Sequence, residues 1–379
     1  MKTYNICYML LALIVLGCST SEDGTPSGTD DEIGVGVPAD YVLLTVKNGN
    51  LSSERLNANG MTVTRNPNDS PFGTITQPSI FYLENTRFSY YEKRSDCSGR
   101  IASYNFTEDT EESLAVFADL LDCELVVKSV ARSQDSFFIA YETPGPLPSD
   151  RNFFVRVIDI ASSEFLDVSL SKEPLQLDFS NNRLFILTLD PAIDSKKNAL
   201  VVMDSGSKEL IHEVNLDLDV QKIKKDSDGN IVVSYPSLHL VISNTSMGIL
   251  STVRYTEGKE PKFGFSERNY FDADGNLYYQ RPESTGGYPS IPAVYEFSSN
   301  TAVLYFYENF LNEQQREFEF ELGDTSLVSF DPGNHLMLIG YRKSGSSELG
   351  GLLRIKPAPD PKFVDNTDLE GVPFAVFIK

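Results

Sequence analysis

The 379-residue chain has no tryptophan, three histidines and four cysteines. His212, His239 and His335 lie in or beside separate apolar runs and leave little material for a histidine-based active site. There is no CxxC pair and no Cys/His cluster, which argues against a zinc site. No G-x-S-x-G elbow is present. Positive charge is also short: 32 Lys+Arg stand against 54 Asp+Glu, a formal net charge of −22. Nucleic acid is therefore not an expected partner, because its phosphates need Lys and Arg to release counterions. Carboxylate pairs are so frequent in this composition that none points to glycosidase chemistry. Long amphipathic helical periodicity is missing, and no run approaches the ~20 apolar residues of a membrane-spanning helix. What remains is 41% hydrophobic and 23% charged, the balance of an ordinary folded protein. The expectation is a binding protein rather than an enzyme, with no cofactor, acting as a monomer.

The N-terminus carries the strongest local signal. Met1 and Lys2 precede an apolar stretch from Ile6 to Leu16, too short to span a bilayer and fitting the core of a signal peptide. The stretch ends in Val15-Leu16-Gly17-Cys18, which resembles the lipobox of bacterial lipoproteins. That resemblance implies cleavage before Cys18 and acylation of its thiol and new amine. Each buried CH₂ contributes about 0.8 kcal/mol, so two or more chains hold a protein stably on a membrane without crossing it. Loss of residues 1–17 removes one Lys, giving 31 − 54 = −23. Ser19 to Pro38 is rich in Gly, Ser, Thr and acids and reads as a self-repelling tether. Ser21-Glu22-Asp23 resembles the acidic export signal of Bacteroidetes lipoproteins, which implies an outer-membrane protein facing the cell exterior. The expected organisation is a signal peptide at 1–17, a lipidated Cys and tether at 18–38, and one domain at 39–379. In an oxidising compartment Cys97 and Cys123 are placed to form a disulfide, the alternative being two buried thiols.

From about Asp40 onward, short β-branched or aromatic runs alternate with polar turns. Examples are Leu184–Thr188, Ile231–Tyr235, Leu277–Tyr279 and Leu336–Gly340. Tight turns recur at Ser133–Ser136, Phe179–Arg183, Asp226–Asn230, Asp272–Asn276 and Asp331–Asn334. The fold class this predicts is all-β, a β-propeller of four-stranded blades, with each turn joining innermost strand a to strand b. Six blades fall at about 75–120, 123–170, 173–216, 218–255, 260–308 and 323–365. Two strands within Tyr41–Val63 and one at Val372–Ile378 complete a seventh, with six or eight blades as alternatives. Glu111–Leu121 and Asn309–Phe318 could each hold a helical turn. Asp226-x-Asp228-Gly229 and Asp272-x-Asp274-Gly275 resemble the start of a calcium loop. They lack its closing Glu and suit tight hairpins better.

Connections between strands b and c are long at Glu142–Asn152, Leu189–Asn198, Gln280–Pro292 and Arg342–Gly351. In a propeller these emerge on one face with the blade-to-blade connections, and irregular loops on a rigid scaffold are where binding concentrates. They bring Arg151, Lys196, Lys197, Arg281, Arg342 and Lys343 to that face, with Tyr279 and Tyr288. Lys172-Glu173-Pro174 and Lys259-Glu260-Pro261 recur on the same side. Cations beside tyrosines suit an anionic aromatic ligand.

Ala39-Asp40-Tyr41-Val42-Leu43-Leu44-Thr45, followed by Gly49-Asn50-Leu51-Ser52 and Asn59-Gly60, resembles the start of a family of Bacteroidetes surface lipoproteins. Those proteins carry a domain of unknown function and look like seven-bladed propellers. Some members partner TonB-dependent outer-membrane receptors and capture iron–siderophore complexes made by other microbes. The resemblance covers about 20 residues and implies a small-molecule binder, with a ferric siderophore as one ligand and a TonB-dependent receptor as partner. A protein- or glycan-binding module of a surface complex is the alternative, and a propeller hydrolase or lyase a further one.

Overall fold

In the computed structural model, twenty-nine strands among the described residues assemble into seven antiparallel sheets around a common axis. The structure describes residues 37–60, 62–66, 70–84, 86–120, 122–147, 150–191, 196–283 and 287–379. The signal peptide, Cys18 and nearly all of the tether expected from the sequence lie outside the described residues.

Strands a run Ile80–Leu83, Val126–Arg132, Glu173–Ser180, Lys222–Lys225, Tyr270–Phe271 and Leu322–Asp331 in blades 1 to 6. Each is followed by strands b, c and d in simple order outward. The a–b turns fall where the polar turn signals stand. Asp226 Oδ1 accepts the backbone N–H groups of Asp228 and Asn230, and Gly229 has φ 79°. Asp272 Oδ1 does the same for Asp274 and Asn276, with Gly275 at φ 80°. The aspartates are thus engaged by their own hairpins, which explains the DxDG pattern without a cation.

Blade 7 joins the two ends of the domain. Its innermost strand is Val372–Ile378, followed outward by Ala39–Lys47, Asn50–Asn59 and Thr62–Asn66. Tyr41 pairs with Ile378 and Val46 with Val372 across the closing ladder. Four N-terminal strands contribute where the sequence suggested two: Thr62–Asn66 has a polar alternation and little apolar signal, and the short strand Ile75–Thr76, expected to open blade 1, pairs instead with Asn50–Asn59. Side chains lock the ring further. The Tyr41 hydroxyl donates to Asp331 Oδ2 of blade 6 at 2.6 Å, and Arg354 donates to the Gly60 carbonyl at 2.8 Å.

Neighbouring blades are held by apolar clusters at their interfaces. Phe185, Leu200, Ile223 and Ile231 fill the space between blades 3 and 4. Val232, Phe263, Leu277 and Tyr279 fill that between blades 4 and 5. Each sheet face is covered by the next blade, so the ring leaves no broad apolar face in water. Thr110–Val116 is the outer strand of blade 1, where a helical turn over Glu111–Leu121 was expected. Its exposed–buried alternation has the strand period of two. Helical turns do occur near the second expected place, at Tyr307–Asn309 and Gln315–Glu319.

Cys97 and Cys123 are joined, with Cα atoms 4.7 Å apart and a sequence separation of 26. The bridge ties the b–c loop of blade 1 to the connection leading into blade 2. Closing a loop of this size contributes about 3 kcal/mol by restricting the unfolded chain. Replacing both cysteines with serine is expected to lower the stability in a guanidinium titration by that amount. An unchanged midpoint would assign the bridge no stabilising role.

Candidate functional site

The inner strands leave a channel along the ring axis. In its a–b half lies a cavity of about 600 Å³, lined by inner strands and a–b turns of blades 1 and 3 to 7. No described residue of blade 2 lines it. Two bridges run between inner strands here. The Tyr82 hydroxyl of blade 1 donates to Asp178 Oδ1 of blade 3 at 2.8 Å. Lys225 Nζ of blade 4 meets Glu84 Oε1 of blade 1 at 3.2 Å.

The carboxylates around this cavity are already engaged. Asp178 accepts the Tyr82 hydroxyl and the backbone N–H groups of Phe179 and Lys225. Asp226 and Asp272 cap their turns, and Asp272 also accepts from Tyr278 and the Asn276 amide. Glu84 is paired with Lys225. Of the lining cations, Arg87 lies 3.7 Å from Glu112 and Lys225 is bound to Glu84 and the Phe179 carbonyl.

Lys224 and Arg268 differ. Neither side chain has a hydrogen bond or ion pair among the described residues. Burial pushes the Lys224 ammonium below its ordinary range, a shift that the neighbouring Asp178 and Glu84 charges oppose without cancelling. Burial also lowers Arg268, whose guanidinium lies 4.9 Å from the centroid of the Phe374 ring. Asn269 Oδ1, on the same wall, is buried without a partner. Both side chains are half-buried in the cavity wall, with the charges of Asp178 and Glu84 near Lys224 and those of Glu267 and Asp324 near Arg268. They are cations lining the cavity without a directly bonded counter-ion.

A smaller chamber of about 230 Å³ lies at the long-loop end of the channel, lined by Arg268, Arg342, Ser326 and Phe374 among others. Arg268 lines both chambers and marks where they meet.

The residues expected from loop length are not gathered into one site. Arg342 lines the smaller chamber, 3.3 Å from Asp324. Arg151 opens strand Arg151–Asp159 and lies 3.9 Å from Glu142. Lys196 and Lys197 are exposed in the b–c loop of blade 3. Lys343 is held by Asp368 at 2.9 Å and Glu321 at 3.6 Å. Arg281 is buried against Glu283 at 2.5 Å. Tyr288 packs edge-on to Tyr307. Tyr279 is fully buried between blades 4 and 5, its hydroxyl donating to the Pro261 carbonyl at 2.6 Å, so it offers no surface to a ligand. Lys172 pairs with Glu213 and Lys128 with Glu173, which spends the charge of the first Lys-Glu-Pro segment.

His239 is buried among Tyr255, Phe263, Tyr295 and Phe297, with Nδ1 2.9 Å from the Tyr255 hydroxyl. Burial brings its pKa down to about 4, so the ring is neutral at pH 7 and serves as part of the packing. Among the described residues no group of three or more His, Cys, Asp or Glu is placed to hold a metal ion.

The arrangement of sheets defines a seven-bladed β-propeller closed by strands from both ends of the domain. No protein-family model matches the chain, and no curated protein matches it. Solved structures, a β-propeller domain among them, are similar at the level of fold. The β-propeller domain of the Trilobed protease from Pyrococcus furiosus is 9% identical, covering 87% of this chain and 95% of its own, with a TM-score of 0.46. A dihydro-heme d1 dehydrogenase is 10% identical over 89% of this chain and 74% of its own, TM-score 0.48. A protein of unknown function from Bacteroides caccae is 10% identical over 71% of this chain and 93% of its own, TM-score 0.39.

Proposed function

We propose that this protein is a surface lipoprotein, anchored through Cys18, that binds a small anionic molecule in the central channel and delivers it to a TonB-dependent receptor. The observation that carries the binding role is the cavity of about 600 Å³ with Lys224 and Arg268 unpartnered in its wall. Its volume falls in the range of small-molecule sites, about 300–1,000 Å³. The tyrosines and apolar residues around it, among them Tyr82, Tyr270, Leu327 and Phe377, suit a ligand with flat or apolar parts beside its charge. The N-terminal resemblance implies ferric siderophores, and among these a ferric catecholate has that chemistry. The anchor and the receptor rest on the lipobox and on that resemblance.

The test is calorimetric titration of the mature chain with ferric catecholates. A charged hydrogen bond contributes about 1.5–3 kcal/mol. Lys224→Met with Arg268→Gln is therefore expected to weaken binding at least a hundredfold, whereas Lys196→Gln with Lys197→Gln leaves it unchanged. Absence of binding by the unaltered chain removes the siderophore. Binding that survives the channel substitutions removes the channel as its site.

A further inference from the structure

Strand d is the outer edge of each blade, and in three consecutive blades it opens with a pair of exposed apolar residues. In blade 2, strand Phe165–Leu170 begins with Phe165 and Leu166, each 48% exposed. In blade 3, strand Leu210–Asn215 begins with Leu210 and Ile211, 43% and 42% exposed. In blade 4, strand Ile249–Arg254 begins with Ile249 and Leu250, 54% and 59% exposed. The other blades have Thr62-Val63, Thr110-Glu111, Thr301-Ala302 and Lys362-Phe363 at these positions. The feature is thus local to one arc of the rim.

All three pairs follow directly on a c–d turn, which places them beside the face where the a–b turns emerge. The turns themselves, 161–164, 205–209 and 243–248, are dominated by Ser, Gly, Asn and Thr. On the opposite face, Leu120 and Val126 are exposed at the connection from blade 1 to blade 2, and Leu147, Leu218, Phe265, Phe318 and Leu349 as single residues on five other connections. Isolated exposed apolar residues are common, whereas grouped ones mark contact surfaces.

The chain also joins the domain on the a–b face. Val37 N–H donates to Asn334 Oδ1, in the a–b turn of blade 6, at 3.1 Å, and Val37 is itself 54% exposed. Only residues 19–36 separate it from Cys18. Fully extended, such a segment reaches at most about 60 Å. A chain leaving this face must pass round the rim before the opposite face can meet the bilayer that holds the anchor.

We propose that the apolar arc of blades 2 to 4 rests on that bilayer, so that the a–b face is the membrane-facing side of the propeller. The proposal rests on the reading of Cys18 as the lipid anchor. Six large apolar side chains would sit at the level of the lipid headgroups. The turns beside them carry Glu164, Lys208 and Glu209, a net of one negative charge, which adds little electrostatic cost in a protein of net charge −22. The larger chamber then opens toward the membrane and its transporters, and the long loops face the medium.

The absence of tryptophan makes this directly measurable. The lipidated chain carrying Leu250→Trp or Ile211→Trp as its sole tryptophan is reconstituted on phosphatidylcholine vesicles with brominated acyl chains. The expected result is a blue-shifted emission quenched at least twofold, with Leu147→Trp and Phe318→Trp unquenched. Quenching on the long-loop face only, on both faces equally, or on neither would overturn the proposal. Mass measurement of the mature chain tests the acylation separately. If it shows no acyl group, the Cys18 reading fails on its own. The same tryptophan variants, held by an N-terminal His tag on vesicles containing nickel-chelating lipid, then still decide whether the arc meets lipid.

Discussion

A chain truncated after Gly371 is expected to lose cooperative unfolding altogether. The missing segment is the innermost strand of blade 7, and it contributes more than its ladder with Ala39–Lys47. Phe374 and Phe377 are 2% and 3% exposed. Phe377 stacks on Phe106 with ring centroids 4.1 Å apart, and Phe374 meets Phe81 at 5.1 Å. Losing a buried Phe costs about 3–5 kcal/mol, so two approach the entire stability of a typical domain, about 5–15 kcal/mol. The inner edge of Ala39–Lys47 would also be bared, with Tyr41, Val42, Leu43 and Leu44 along it, a ready template for aggregation. Circular dichroism during heating, together with limited proteolysis, reads the outcome. Removal of Lys379 alone is the control, since it deletes one backbone hydrogen bond to the Asp40 carbonyl and an ion pair with Asp109, each of the kind that contributes about 1 kcal/mol or less. A truncated chain that melts sharply within a few degrees of the full one would show that the ring does not depend on this closure.

Arg156→Leu is expected to destabilise the protein by about 1.5–3 kcal/mol, the contribution of hydrogen bonds to charged groups, since the carboxylates left behind are partly open to water. Arg156 is 1% exposed and lies in strand c of blade 2. Its guanidinium makes two bonds to Asp119 at 2.7 Å and further bonds to Asp167 at 2.8 and 2.7 Å. It is also covered by Phe165 at 4.0 Å and Phe117 at 4.7 Å. Deleting it leaves two carboxylates facing each other with no cation between. Urea unfolding at neutral pH measures the loss, and a change below 1 kcal/mol would show that water replaces the guanidinium at little cost. The hydrogen bonds from Arg156 hold the Asp119 carboxyl below its usual range. A depressed carboxylate contributes stability that is present above its unfolded pKa and is lost as pH falls through the folded one. The gap between the two proteins should therefore narrow in acid, below about pH 4.

Much of the scaffold was readable from residue order, and the reason is local. An a–b hairpin needs Asp or Asn to bond its own backbone and Gly to take positive φ, so Asp226–Asn230 and Asp272–Asn276 announce themselves at fixed intervals. The strand Thr62–Asn66 was hidden because an outer strand of a blade needs little apolar character. The site was harder to see. Loop length directed attention to Arg281, Lys343 and Tyr279, but neighbouring carboxylates and the blade 4–5 core absorb them. Lys224 left a trace in Lys222-Ile223-Lys224-Lys225, an unusually basic inner strand. Which of those ammonium groups stays unpaired depends on Glu84 arriving from blade 1, a long-range fact that no local pattern encodes. Arg268 sits in the connection from blade 4 to blade 5 and has no pattern of its own.

The joining of residues 372–378 to residues 39–47 sets an order of events during biogenesis. Until residues 372–378 arrive, the other four strands of that sheet wait with their inner edge bare, and the circle is a horseshoe. Ribosomal synthesis delivers residues 372–378 long after residues 39–47. Closure of the circle is thus deferred until residues 372–378 have been made, so the ring cannot form blade by blade as the chain emerges.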